Sequence, residues 1–511
     1  MKIQELFDES KKLDREIESV VTFAANTAED LGKEINEYVV TQKLHDNYQD
    51  VLEKLERAFS DSSKEVGIWV SGFYGSGKSS FAKYLGYSFN KSMIVDGVSF
   101  GTRLMDRIQD PTLKAFHNTI ITRFNPFVVM IDMDADARTG RNTTISDSIY
   151  YETLKLLGVS AATDSAVFEF ECMLKAEGRY EEFCEQFKKE QNQDWEEIHN
   201  INIRAKNKAA IYAPIYFPDD FKSADEFKSL KIDDIESEKD RIQRLYNLVK
   251  QTTGRDKIIF VLDEVGHFIQ ADPTQINKLQ GLMHTIKDSF KGDVWIIATA
   301  QQTLTDESSS GVDSIRTLND RFPVKVNIEA NDIKEIITKR LLGKSVDGKA
   351  YLKKLFNDNE AKIKLATKLN VGEKTLYKSI LDEEVFANLY PFLPVHIDIL
   401  MCQLKKLASS SGGVGLRSVI RLVRDILVDN HLADENVGVL ANTEHFYDIL
   451  FDDMERSKDF RDITESAQNA IRRFTDDALA IRICKTVAVM QILDDFDLSF
   501  DNLCRANASN L

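Results

Sequence analysis

Five short apolar runs recur along the chain, and each is bounded by polar or turn-forming residues. They occupy residues 66–71, 127–132, 257–262, 294–299 and 324–328. A strand that is covered on both faces needs apolar residues throughout its length, so runs of this kind are typical of a parallel sheet packed between helices. The pattern therefore predicts an α/β fold with a five-stranded parallel sheet.

Helical periodicity dominates the rest of the chain. Residues 41–59 predict an amphipathic helix, and a second helix is predicted from residue 78 to residue 89. The stretch 150–255 is dense in Glu, Lys, Phe and Tyr, which predicts a largely helical insertion between the second and third strands. The apolar side of the first helix consists of Leu44, Tyr48, Val51, Leu52, Leu55 and Phe59.

These patterns divide the chain into four parts. We expect an N-terminal helical segment (1–60), an α/β core (61–330), a helical region (331–435) and a C-terminal helical region (436–511). The last part ends soon after Ser499, whose hydroxyl can cap a new helix. Its apolar surface is too small for a core of its own, so we expect an incomplete domain at the end of a truncated N-terminal portion of a longer protein.

The strongest chemical signal lies between the first apolar run and the helix that follows it. Residues 72–79 match the pattern GxxxxGK[ST], whose glycines allow backbone N–H groups to converge on phosphate oxygens at a helix N-terminus. We expect Lys78 to contact the β- and γ-phosphates of ATP and the Ser79 hydroxyl to ligate Mg²⁺. The predicted phosphate-binding residues are Gly72, Gly75, Ser76, Gly77, Lys78, Ser79 and Ser80.

Two adjacent carboxylates follow the third apolar run. We expect Asp263 to hold the magnesium ion and Glu264 to polarise the attacking water as general base. Neighbouring carboxylates at the mouth of a buried strand repel each other unless a cation lies beside them. Glu264 also argues against a small-molecule kinase, which transfers phosphate to a bound acceptor and needs no water-activating acid. The two motifs together predict ATP hydrolysis.

Polar residues near two further strands are candidates for contacts with the γ-phosphate. At the end of the fourth run we favour Gln301 as the residue that orients the water, with Thr299 as the second choice. Arg321, just before the fifth run, is the candidate for an arginine that reaches into a neighbouring subunit's site, with Arg316 as the alternative. An ordinary surface role is the competing interpretation of each position.

Two further segments could contact the nucleotide. Arg417, Arg421 and Arg424 recur at i, i+4 and i+7, on one face of a predicted helix. Arg417 could reach the phosphates from a lid, and the same stripe could instead face DNA or solvent. Near the start of the chain, Tyr38 and Val39 could line an adenine pocket, and an ordinary connector packed on the core is the alternative.

The composition limits the classes of binding partner and the cellular compartment that we expect for this protein. The net charge of −17 repels nucleic-acid phosphates, so any contact with DNA or RNA must come from a local basic stripe or from a partner. The five cysteines are scattered without a CxxC pair, which suits a reduced cytoplasm and predicts neither a disulfide framework nor a structural metal site. No apolar run approaches the length of a membrane span. We therefore expect a cytoplasmic protein without a membrane partner.

Taken together, these segments resemble the BrxC/PglY family of P-loop ATPases from bacterial BREX phage-defence systems. The likeness rests on residues 37–41, 67–79, 178–187 and 390–394 and on Asp132 with the acidic loop after it. The resemblance implies an AAA+ ATPase related to origin-recognition and initiator proteins, with an α/β core, a helical lid and winged-helix-like regions. It also implies that family members are longer than this chain.

The resemblance further implies roles, cofactors and partners. The cofactors are ATP and Mg²⁺, and the partners are a PglZ-like protein, a PglX-like methyltransferase and a BrxB-like adaptor on DNA, with nucleotide-dependent homo-oligomers. We therefore expect ATP turnover to assemble or remodel a DNA-associated defence complex. The alternative is a switch or scaffold that ATP binding alone controls. The implied residues are Lys78 and Ser79 (Walker A), Asp263 and Glu264 (Walker B), Gln301 (sensor), Arg321 (finger) and Arg417 (lid sensor).

Overall fold

The computed structural model describes most of the chain. The described residues are 1–8, 23, 27–61, 66–72, 76–137, 144–160, 165–230, 238–272, 274–301, 304, 317–328, 330–369, 380–411, 419–493 and 496–509.

A five-stranded parallel sheet forms the centre of the molecule. Its order is β4-β5-β6-β1-β7 with every neighbouring pair parallel, while β2 and β3 form a short antiparallel hairpin. The predicted α/β fold with five parallel strands is confirmed. The strands are β1 (Gly67–Gly72), β2 (Ile94–Val95), β3 (Val98–Ser99), β4 (Phe127–Asp132), β5 (Ile258–Asp263), β6 (Val294–Ala300) and β7 (Val324–Ile328).

The strand order brings the carboxyl ends of β1, β6 and β5 side by side. Val70 of β1 pairs with Thr299 of β6, and Leu262 of β5 pairs with Ala298 of β6. Residues that follow these three strands therefore share one edge of the sheet. The predicted phosphate loop and Asp263 lie at this edge, separated by a single strand.

Helices from the first part of the chain cover one face of the sheet. Alternate strand residues such as Ile68 and Val70 point to this face and are buried, because successive side chains of a strand alternate. All six residues predicted on the apolar side of the first amphipathic helix are buried, as expected. The helices are α1 (Ala28–Glu37), α2 (Gln42–Asp61), α3 (Lys78–Ser88), α4 (Phe100–Ile108) and α5 (Pro111–Thr119), the last followed by a π-helical turn (Ile120–Phe124).

The stretch between β4 and β5 is helical, as the sequence predicted for the insertion. Aromatic side chains form a separate core there, with Phe183 and Trp195 among them. Glu171 is fully buried beside this aromatic core and accepts a hydrogen bond from Trp195 Nε1 over 2.6 Å. The helices are α6 (Met133–Ala137), α7 (Ile145–Leu156), α8 (Ser165–Ala176), α9 (Tyr180–Gln191), α10 (Asn202–Tyr216), α11 (Ala224–Ser229) and α12 (Glu238–Thr253).

The second face of the sheet is covered by α7, α12 and two helices that follow β5. These are α13 (Val265–Ala271) and α14 (Thr274–Phe290). Trp69 and Phe260, which alternate with the residues of the first face, are buried in this second core. The sheet is therefore enclosed on both faces, which explains its uninterrupted apolar strands.

The remaining helices share one core with the first residues of the chain. Ile3, Leu6 and Phe7 are buried among side chains from residues 333–496, and Ser345 N–H donates to the Leu6 carbonyl over 2.9 Å. The helices are α15 (Ala330–Arg340), α16 (Val346–Thr367), α17 (Glu383–Leu389), α18 (Pro394–Ser411), α19 (Val419–Val428), α20 (Thr443–Arg456), α21 (Arg461–Ile471), α22 (Ala478–Met490) and α23 (Phe500–Ala506).

Ser499 occupies the N-cap position of α23, as predicted, but its hydroxyl does not cap the helix. The oxygen is buried and has no hydrogen-bond partner among the described residues. The predicted side-chain cap is therefore wrong, and the position of the helix start is right.

Within the described ranges, no individual helix is both long and apolar enough to cross a membrane. One bent pair, Glu383–Leu389 with Pro394–Leu407, passes the same test of length and composition, with an angle of 55° between its two parts.

Candidate functional site

Glycines shape the turn that leads from β1 into α3. A β-carbon on Gly72 would lie 2.5 Å from Ser76 Oγ, so a side chain at residue 72 would force the Ser76 hydroxyl out of its position beside the strand end. Gly77, which precedes α3, has φ of +95°, a left-handed conformation that glycine adopts readily. Gly75, the third predicted glycine, lies outside the described residues. Two of the three predicted glycines of the loop are therefore described, and Gly77 has a backbone conformation that glycine favours.

The first residue of α3 contacts the acidic end of β5. Lys78 is almost fully buried, and its Nζ lies 2.7 Å from Glu264 Oε1. The two residues are 186 positions apart in the chain, and each was predicted from a different motif. The structure therefore brings the predicted phosphate-binding cation and the predicted general base into direct contact.

Asp263 is the last residue of β5 and is buried beside the same contact. The Thr299 hydroxyl donates to Asp263 Oδ1 over 2.5 Å, and the Ser79 side chain also favours the charged form of this carboxyl. Burial raises the pKa of Asp263 to about 6, while the positive charge of Lys78 opposes the rise. The structure thus brings Asp263 and Ser79 together, the two residues predicted to hold the magnesium ion, and both carry oxygen atoms of the kind that Mg²⁺ binds.

Glu264 turns the chain sharply between β5 and α13. Its φ of 53° and ψ of 30° are left-handed, a conformation that costs a residue with a side chain about 1–3 kcal/mol. The Glu264 N–H donates to Thr299 Oγ1 over 2.9 Å. Gly266 then lets α13 pack against β6, since a β-carbon there would lie 2.6 Å from Ala300 Cβ.

The two candidate residues of β6 occupy different environments. Thr299, the second choice, is fully buried and contacts both acidic residues. Gln301, the first choice, directly follows the strand and is exposed. Its role stays a prediction, and the structure adds contacts of Thr299 that the sequence did not indicate.

A cavity of about 460 Å³ adjoins the phosphate loop, a size within the usual range for small-molecule pockets. Its wall includes Tyr38 and Val39, the residues predicted for the adenine pocket, together with Ser76, Gly77 and Ser80. The Tyr38 hydroxyl is hydrogen-bonded to the Tyr48 hydroxyl over 2.9 Å, and its ring meets that of Tyr84 edge to face. The structure therefore brings these predicted residues together around one space.

Helices that follow the sheet line the other side of this cavity. Arg340 of α15 lines it, and Arg340 Nε donates to Glu37 Oε2 at the end of α1 over 2.9 Å. Nearby, the buried Thr41 hydroxyl donates to Asp332 Oδ1 over 2.9 Å. The sequence analysis missed Arg340, because an ion pair between residues so far apart in the chain leaves no spacing pattern.

Arg321 lies near the amino ends of the strands, whereas Lys78 lies beyond their carboxyl ends. Its carbonyl oxygen would lie 2.6 Å from a β-carbon on Gly67, the first residue of β1. The six residues of that strand span about 16–20 Å, and the phosphate loop begins at the far end. Arg321 does not join the site of its own chain, so its predicted role requires a second copy. Its alternative, Arg316, lies outside the described residues.

The predicted arginine stripe is only partly described. Arg417 lies outside the described residues, and α19 begins at Val419. Arg424 is paired with Asp425 and Asp429, each over 3.0 Å, and Arg421 lies 3.9 Å from Asp425. The described arginines of the stripe therefore face Asp425 of their own helix and Asp429 directly after it.

Several segments that carry the family resemblance are structural. Phe183 and Phe187 are fully buried in the aromatic core of the insertion. The Tyr390 hydroxyl accepts a hydrogen bond from the Gly438 N–H over 2.8 Å, and the Asp132 carboxylate accepts from the N–H groups at the start of α6. These residues stabilise the helical insertion, the later helices and the turn after β4.

The residues present fit a nucleotide with its magnesium ion. Ser76 Oγ and Glu264 Oε2 are both buried and have no hydrogen-bond partner among the described residues, although buried polar atoms are normally paired. Both belong to the predicted site, and a phosphate and a water could satisfy them. The chain matches no known protein-family model.

Proposed function

We propose that this protein binds ATP with Mg²⁺ and hydrolyses it at the carboxyl edge of the parallel sheet. The observation that carries the proposal is the convergence of Lys78 with Asp263 and Glu264, which two distant segments of the sequence bring to one point. A cavity of suitable size beside the phosphate loop supports it.

Each residue has a role that its position supports. Bound ATP–Mg²⁺ would supply the phosphoanhydride bond and the charge that stabilises the leaving group. Asp263 and Ser79 would hold the metal, and Lys78 would hold phosphate oxygens. Glu264 would take a proton from water. Because Lys78 is paired with Glu264, it must release that carboxylate before Glu264 can act as base.

We also propose that the core is of the AAA+ class. The strand order is compatible with this class, because β6 lies between β1, which leads into the phosphate loop, and β5, which ends in Asp263. Helices that follow the core line the nucleotide cavity, as a lid would. Arg321 lies away from its own chain's site, as an arginine that acts on a neighbouring subunit must.

A nucleotide-controlled switch is the second candidate. Glu37–Arg340 and Thr41–Asp332 connect the N-terminal segment to α15 beside the cavity. A nucleotide bound in that cavity would alter these contacts. Binding without hydrolysis could then change the position of the helices between residues 331 and 435, which we propose form a lid.

The resemblance to the BrxC/PglY family is the sole support for the biological setting that we propose. In that setting the ATPase acts in a cytoplasmic BREX-type defence complex on DNA, with PglZ-like, PglX-like and BrxB-like partners. DNA contact by this chain would need a local basic stripe, such as the one that includes Arg417, or a partner.

Steady-state phosphate release tests hydrolysis. Wild type and Lys91→Ala, which changes an exposed lysine shortly after α3, should turn over ATP equally. Lys78→Ala should lose binding and turnover, and Glu264→Gln should bind ATP without turnover. Equal and negligible rates in all variants would contradict hydrolysis. If Glu264→Gln preserved partner assembly while Lys78→Ala abolished it, the switch would be supported.

A further inference from the structure

We propose that Thr299 is a positioning residue that fixes the two carboxylates of the site instead of contacting the nucleotide, an inference that rests on the proposed function. Thr299 is fully buried in β6. Its hydroxyl accepts a hydrogen bond from the Glu264 N–H over 2.9 Å and donates one to Asp263 Oδ1 over 2.5 Å. A single side chain from the neighbouring strand thus holds both residues that are expected to bind metal and activate water.

The hydroxyl has no hydrogen left to donate to a phosphate. A threonine hydroxyl carries one hydrogen and two lone pairs, and its hydrogen here is directed to Asp263. To contact a phosphate oxygen, Thr299 would have to leave a buried carboxylate without this bond. A direct contact is therefore better assigned to Gln301, which is exposed at the end of the strand.

The bond to the Glu264 N–H fixes a rare backbone conformation. Glu264 is left-handed, and its carbonyl accepts from the Phe268 N–H over 3.1 Å as α13 begins. With its N–H held by Thr299, the chain turns between the two acidic residues. The Glu264 carboxylate therefore meets Lys78, while Asp263 stays beside Ser79.

Loss of the hydroxyl should weaken metal binding and catalysis while nucleotide binding persists. Groups that orient metal ligands typically contribute about 10- to 100-fold in metal affinity or activity. Thr299→Val should therefore raise the Mg²⁺ concentration needed for half-maximal effect, and lower kcat, by about this factor, with little change in KM for ATP. Thr299→Ser keeps the hydroxyl and should recover most of both quantities.

Two measurements test this inference. The first is the binding of a fluorescent ATP analogue titrated with Mg²⁺, which needs no turnover, and the second is steady-state hydrolysis. Thr153→Val is the matched control, because Thr153 is equally buried and, among the described residues, its hydroxyl bonds only to the Ile149 carbonyl, over 2.7 Å, within α7. Thermal unfolding without ligand establishes that each variant is folded.

The expected result is a raised Mg²⁺ requirement and a lowered kcat in Thr299→Val alone. Three results would overturn the inference: a Thr299→Val protein that matches Thr153→Val, no rescue by Thr299→Ser, or lost nucleotide binding with an unchanged Mg²⁺ requirement. Failure of the proposed function would instead appear in wild type, as absent nucleotide binding or turnover, and would overturn this inference too.

Discussion

Replacement of Glu264 by glutamine should destabilise the ligand-free protein, because it weakens a buried ion pair. Lys78 is 3% exposed and Glu264 is 17% exposed, with 2.7 Å between Nζ and Oε1. Removing the charge of one partner of a buried ion pair costs about 3–5 kcal/mol, and the amide keeps a hydrogen bond to the charged Lys78 ammonium that returns about 1.5–3 kcal/mol. The amide should therefore reduce the free energy of unfolding by about 1–2 kcal/mol.

The same free energy should reappear as tighter ATP binding. In wild type, Lys78 must separate from the Glu264 carboxylate before it contacts a phosphate, and in Glu264→Gln this separation costs less. A difference of about 1–2 kcal/mol corresponds to about 5- to 30-fold in the dissociation constant. Turnover should be lost at the same time, because the amide cannot take a proton from water.

Urea denaturation without nucleotide and fluorescence titration with ATP and Mg²⁺ measure the two effects. Asp293→Asn is the control, because it weakens a partly buried ion pair at the opposite, amino ends of the strands. In that pair, Asp293 Oδ1 lies 2.8 Å from Lys257 Nζ. That variant should lose stability without binding ATP more tightly. If Glu264→Gln lost stability while its ATP affinity stayed equal or fell, the reasoning would be refuted.

Three further predictions concern the loop, the N-terminal residues and a buried histidine. Gly72→Ala should weaken ATP binding by about tenfold in a titration, because its β-carbon would lie 2.5 Å from Ser76 Oγ and overpacking costs about 1–3 kcal/mol. In urea denaturation, Leu6→Ala should lower the free energy of unfolding by about 2–5 kcal/mol, since Leu6 is fully buried, whereas Leu365→Ala, 69% exposed, should change it by less than about 0.5 kcal/mol. Burial lowers the pKa of His117 from 6.5 to about 4, so between these two pH values the unfolded state binds more protons than the folded state. The free energy of unfolding should therefore fall by up to about 1.4 kcal/mol per pH unit as the pH drops through this range. His117→Gln should reduce this dependence on pH.

The sheet was predictable because its signal is local. Each strand is buried on both faces and therefore appears as a continuous apolar run, and the phosphate loop follows such a run directly. Lys78 and Asp263 were found in the same way, since Lys78 belongs to the glycine-rich motif after one apolar run and Asp263 ends another. The strand order that brings them together is set by long-range packing, which no local pattern records.

The parts that escaped prediction depend on contacts between distant segments. Arg340 looks like any helical arginine in the sequence, and only the fold places it against Glu37 beside the cavity. The bonds of Thr299 require β6 to lie next to β5, so its sequence position alone favoured neither a structural nor a catalytic role. Ser499 shows the converse, because a local capping signal marked the right position while its buried hydroxyl makes no cap and has no partner among the described residues.

Calorimetric titration with ATP and Mg²⁺, comparing wild type with Lys78→Ala, tests most directly whether Lys78, Asp263 and Glu264 form one nucleotide site. The account predicts one ATP bound per wild-type chain, dependent on Mg²⁺, and no measurable binding to the variant while it remains folded. Equal affinity of both proteins for ATP, or wild-type binding that ignores Mg²⁺, would contradict it.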